Sequence, residues 1–163
     1  MKKRHLKSKG KKTWTNLRVD IKRICEDFNI PKSEFSEVSI NLWAEIETKI
    51  WRKFSTRQNS EWRWQTLKEE YSAASIDYQK FKLDKFFNLN EKLWILLGET
   101  VRETTKCWVY EGTLNGFNKV FLEVGWRDDV VVVSKKYKWI FIINHYGIMI
   151  GTGEMKDKIE NSR

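Results

Sequence analysis

Along the first part of the chain, apolar residues return every three or four positions. Trp14, Leu17, Ile21, Ile24, Cys25 and Phe28 form one such series, with Arg18, Asp20, Lys22, Arg23, Glu26 and Asp27 between them. That spacing puts the apolar set on one face of an amphipathic helix and the charges on the other. Thr13 is suited to cap its start, and Pro31 keeps it from extending. Leu42, Trp43, Ile46, Ile50, Trp51 and Phe54 repeat the pattern, although Val38, Ile40 and Leu42 alternate and fit an extended start as well. A polar loop follows at 55–60, and Trp62, Trp64 and Leu67 then carry helical propensity to Glu70. "YSAAS" (71–75) breaks the pattern, and residues 77–88 read as one more short helix that packs Phe81, Phe86 and Phe87.

Near residue 92 the period changes. "LWILL" (93–97) is a continuous apolar run closed by Gly98, and "CWVYEG" (107–112) is rich in β-formers and also ends in glycine. Residues 114–123 fit a short helix after Thr113, with Leu114, Phe117, Phe121 and Leu122 inward. "VVVV" (130–133), "KWIFII" (138–143) and "GIMIG" (147–151) then follow one another across spacers short enough for hairpins. Adjacent strands joined so tightly must be antiparallel, because parallel ones need long crossovers. Their unbroken apolarity implies cover on both faces. The pattern predicts an α+β fold in which helices within 13–88 pack on a mostly antiparallel sheet within 93–151. The N-terminal helices are expected on one face, and the 114–123 segment or a partner on the other. Residues 1–12 are expected as a basic disordered tail, 13–153 as one domain and 154–163 as a polar tail.

Composition sharpens this picture in two places. Nine tryptophans, with Tyr and Phe making 14% aromatic residues, predict a core built largely from rings. The net charge of +9 suggests nucleic acid until it is located. Lys2, Lys3, Arg4, Lys7, Lys9, Lys11 and Lys12 share the first twelve positions with no acid; without them the chain has 24 basic and 22 acidic residues, a net of +2. The basicity belongs to the tail. No apolar segment follows it as a secretory leader requires, and Lys135, Lys136 and Lys138 interrupt the longest apolar stretch well short of a membrane span. Cys25 and Cys107 form no CxxC pair, so neither zinc nor redox chemistry is indicated, and a reducing cytoplasm is the expected compartment.

Candidate chemistry is sparse. His145, in the turn "NHYG", could serve as a general base only with a nucleophile and an orienting carboxylate, and it reads first as a turn residue. Glu154 and Lys156 have the Glu-x-Lys spacing of metal-dependent nucleases, with Asp128 and Asp129 before a strand, but Glu154 falls after the last strand rather than within one. No phosphate-binding loop, HExxH or GxSxG occurs. No catalytic, cofactor or metal residue is therefore assigned, and no cofactor is expected. Exposed rings interleaved with cations could stack on single-stranded nucleic acid or anchor a protein partner; Trp62 and Trp64 in "EWRW" and Trp126 in "GWRDD" are the candidates, with His145 beside them.

The run from "LWILL" through "CWVYEG" to "VVVVSKKYKWIFIINHYGIMIG" (130–151), with its Trp-containing strands and "SKKYKW…NH" turn, resembles small cytoplasmic proteins of Gram-positive bacteria, some of which are immunity proteins that neutralise a toxin. The resemblance covers residues 90–151 and carries no catalytic motif. It implies a non-enzymatic protein-binding domain that acts by occluding its partner. Nucleic-acid binding through the lysine-rich tail is the alternative, and no membrane role is expected.

Overall fold

The computed structural model describes residues 17–57, 63–77, 79–101, 104–124 and 128–162. Four helices and seven strands alternate along the chain: α1 (Leu17–Asp27), β1 (Phe35–Glu37), α2 (Ile40–Phe54), β2 (Tyr71–Ser75), β3 (Lys92–Val101), β4 (Thr104–Thr113), α3 (Leu114–Glu123), β5 (Val130–Ser134), β6 (Ile140–Ile143), β7 (Ile148–Thr152) and α4 (Glu154–Glu160). Short 3₁₀ turns occupy Arg63–Thr66 and Leu83–Lys85. All seven strands join one antiparallel sheet in the order β1-β4-β3-β5-β6-β7-β2. The fold is α+β.

Side chains alternate across this sheet with period two, and each face builds its own core. Leu93, Ile95, Leu97, Tyr110, Val130, Val132, Phe141 and Ile143 point to a face covered by α1, α3 and α4. Leu96, Val109, Val131, Val133, Ile140, Ile142 and Ile150 point to the other, covered by α2 with Trp64 and Leu67. The unbroken valines and isoleucines of β5 and β6 are thus explained: the strands are buried on both sides. The rings fill these cores, with Phe86, Phe87, Trp139 and Phe141 in mutual contact on the first face.

The helices are not gathered at the N-terminus, as the pattern suggests, but interleaved with the strands. α1 and α2 each carry one apolar stripe, yet they lie on opposite faces, because α2 leads from β1 at one edge of the sheet to β2 at the other. "YSAAS", read as a break, is edge strand β2, paired with β7 from Tyr71↔Thr152 to Ser75↔Ile148. Residues 154–160, read as part of a polar tail, form α4, whose Met155 and Ile159 are fully buried. The segment after Trp64 makes a 3₁₀ turn rather than a helix, and 77–88 contributes only a short one, although Phe86 and Phe87 are buried as expected. α3 begins as its sequence implies: the Thr113 hydroxyl accepts the Gly116 amide at 3.3 Å. Its inward residues are Leu114, Phe117, Val120 and Phe121, whereas Leu122 is 71% exposed. Phe28 and Leu42, placed on apolar faces by spacing, are exposed too.

Candidate functional site

The hairpin turn between β6 and β7 presents the most exposed aromatic ring among the described residues, Tyr146, at 65%. The turn is held from inside. Asn144 is buried, and its side-chain oxygen accepts the amides of Tyr146 and Ile148, both at 3.0 Å. Gly147 closes the turn to the Asn144 carbonyl at 2.9 Å with φ of 73°, a conformation that favours glycine. Sequence dictates this geometry: an Asn that bonds its own backbone two residues on, then a Gly with positive φ, is turn chemistry.

Two neighbours stiffen the tip. The carboxylate of Asp129, the residue before β5, accepts both the backbone amide and the ring Nδ1–H of His145, each at 3.0 Å. The imidazole then lies against Tyr146 with centroids 4.1 Å apart. Trp64 approaches Tyr146 edge-on at 6.5 Å and 80°, from the 3₁₀ turn. The next residue back, Arg63, pairs with Glu47 of α2 and lies 5.0 Å over the Trp51 ring. Three separate segments therefore converge on one patch: 63–64, 129 and 144–146.

Cys107 belongs to the same end of the sheet. It pairs with Gly98 in the β3–β4 register, and the Gly98 amide donates to the Asp129 carbonyl at 2.7 Å. Burial, then the carboxylates of Glu47, Asp129 and Asp128, push the Cys107 thiol up to about 12 against a partial offset from Arg63. A thiol so raised stays protonated at neutral pH, which is the reverse of what a nucleophilic cysteine needs. Among the described residues no group of three His, Cys, Asp or Glu side chains is placed to hold a metal ion. Glu154 and Lys156 lie on α4 rather than a strand and are engaged in ion pairs, Glu154 with Lys158 at 3.4 Å and Lys156 with Glu70 at 2.7 Å.

Of the aromatic candidates, the structure brings Trp64 and His145 together, with Tyr146 between them. Trp62 and Trp126 lie outside the described residues, as do Lys2, Lys3, Arg4, Lys7, Lys9, Lys11 and Lys12. Trp43, Trp51 and Trp139 are core residues. Tyr146 and Asp129 complete the patch without having been singled out. The signal for Tyr146 was its place beside Gly147 at the tip of a two-strand hairpin, where a large ring cannot turn inward. No local signal pairs Asp129 with His145.

Fold and site together define a three-layer α+β protein: a wholly antiparallel sheet between two helical layers, with an aromatic patch at one hairpin tip. Residues 13–163 match the model of a family of unknown function, DUF6756, and the chain belongs to that family. No curated protein and no solved structure matches it. No helix among the described residues is long and apolar enough to cross a membrane.

Proposed function

We propose that this protein is a non-enzymatic binding domain that engages another protein through Tyr146, Trp64 and His145, in the cytoplasm, and acts by occluding that partner. The observation that carries the reading is the 65% exposure of Tyr146 on a turn fixed by Asn144 and Asp129. A ring with few rotatable bonds, already positioned, loses little entropy on binding and supplies a large amphipathic contact. Residues of this type dominate protein interfaces. The resemblance to immunity proteins supports a toxin as the class of partner, and the protonated state of Cys107 supports a role without nucleophilic chemistry.

A second reading is nucleic-acid binding through Lys2, Lys3, Arg4, Lys7, Lys9, Lys11 and Lys12. It rests on seven cations and no acid within twelve residues, which bind phosphate by counterion release and without sequence preference. Capture from host lysate separates the two. A single protein retained through nuclease and high salt by the native chain, and lost with Tyr146→Ala, supports the first. Nucleic acid released by salt or by deletion of residues 1–12, with Tyr146→Ala unaffected, overturns it in favour of the second.

A further inference from the structure

At the β1 edge of the sheet, α1 and β1 enclose a cleft of ≈ 650 Å³, a size typical of small-molecule sites. Ile21, Ile30 and Phe35 give it an apolar lining, and Tyr110 and Arg18 reach it from β4 and α1. Tyr110 is only 2% exposed, and its ring stacks on Phe35 at 4.9 Å. Its hydroxyl has no hydrogen-bond partner. The Arg18 guanidinium is fixed by Glu37 and by the faces of Trp43 and Trp108, each 5.2 Å away, yet its buried Nε is unpartnered as well. Buried donors left without acceptors are uncommon and costly in a folded protein. Two of them lining one cavity indicate an acceptor that comes from outside the chain.

We propose that this cleft binds a small apolar molecule ending in a carboxylate, with the Tyr110 hydroxyl and Arg18 Nε donating to the acid group and Ile21, Ile30 and Phe35 packing the hydrocarbon. The charges favour an acid over a neutral or cationic ligand. The cleft is lined by the cations Arg18, Lys22 and Lys32 against the acids Glu26 and Glu37. Glu37 is engaged by Arg18, and Glu26 faces Lys22 at 3.9 Å, while Lys32 makes no ion pair among the described residues. Burial, with Glu37 beside it, raises the tyrosine's ionisation, so the hydroxyl keeps its proton and remains a donor.

The test is calorimetric titration of the full chain with sodium decanoate and, separately, with decanol, which keeps the hydrocarbon and removes the acid. One saturable site for decanoate is expected, with decanol weaker by about tenfold or more, as the loss of a charged hydrogen-bond partner predicts. Tyr110→Phe deletes only the unpartnered hydroxyl; it should weaken decanoate by about tenfold and leave decanol unchanged. Decanoate should also protect Cys25, a lining thiol, from iodoacetamide in the native chain, which places the ligand without relying on any variant. Absence of saturable decanoate binding, equal affinity for decanol, or binding that leaves Cys25 unprotected would each overturn the proposal.

Discussion

Glu99 and Leu17 stand 82 residues apart in sequence, and the Glu99 carboxylate accepts the backbone amide of Leu17 at 3.0 Å. Its other oxygen accepts the indole N–H of Trp108, whose ring lies beneath Arg18. Glu99 is 0% exposed. A fully buried carboxylate is tolerated here because both oxygens meet donors, one of them at the start of a helix, where negative charge is favoured. This single side chain ties α1 to the β3–β4 hairpin and so helps set the walls of the cleft.

Glu99→Gln keeps one acceptor but turns an amide N–H toward a donor. It should lower unfolding stability by about 1–3 kcal/mol, the cost of an unsatisfied buried group. Glu99→Ala should cost more, since both donors lose their partner. Urea denaturation checks both, and an unchanged midpoint for Glu99→Ala would mean that these bonds do not hold α1 in solution.

The contact of α4 with the sheet runs through Gly151. A Cβ added there would lie 2.7 Å from Met155 Cβ and 2.9 Å from Ile159 Cδ1, closer than packed carbons approach. Gly151→Ala must therefore lift α4 from β7, at a cost of about 1–3 kcal/mol for overpacking. Native-state hydrogen exchange should show the amides of 154–160 losing protection before the central strands do. Equal protection in the variant and the native chain would contradict the docking.

The middle of this fold was readable because its strands are long apolar runs: 93–97, 130–133 and 138–143 have no other explanation than a sheet covered on both sides. The edges were not. β1 is three residues, "FSE", and β2 is "YSAAS"; neither has a hydrophobic pattern of its own, and each is a strand only because β4 or β7 offers it a register. α4 hides for a related reason, since Met155 and Ile159 are its only apolar residues and charge surrounds them. Which face a helix covers is also a non-local matter: α1 and α2 look alike as stripes, and the route of α2 from edge to edge separates them. The site divides in the same way. Trp64 and His145 stood out as residues, but their meeting depends on Tyr146 and Asp129, which only the folded chain brings to them.

The raised Cys107 thiol gives a pH-dependent expectation with a definite sign. The folded protein holds this proton up to about 12, whereas the unfolded chain releases it near 9.0. The unfolded state therefore binds fewer protons across that interval, and this contribution to stability is intact below pH 9 and falls as pH rises toward 12. In the native state, iodoacetamide labelling of Cys107 should increase about tenfold per pH unit from 7 to 10 without a plateau, tracking the thiolate fraction. Peptide mass spectrometry reads the site directly. A plateau near neutral pH would reveal a low-pKa nucleophile and revive an enzymatic role for the His145–Asp129 pair beside it.

The binding patch makes a sharper demand, because anchor and support should fail differently. Tyr146 is exposed, so Tyr146→Ala should leave the unfolding midpoint nearly unchanged. As the anchor, it should cost about 2 kcal/mol or more of partner affinity, roughly thirtyfold, seen mostly as faster dissociation. Asn144 is buried and touches the partner nowhere in this reading, yet its oxygen holds the amides of Tyr146 and Ile148. Asn144→Ala should lower stability by about 1–3 kcal/mol as those amides lose their acceptor. It should also weaken binding by a smaller factor than Tyr146→Ala, because the ring is still present but must be ordered on contact. Surface plasmon resonance with the captured partner, run beside urea denaturation, separates the two effects. If Asn144→Ala and Tyr146→Ala changed affinity equally while only the first changed stability, the turn's order rather than the ring would carry recognition. If neither changed affinity, the interface would lie elsewhere on the molecule.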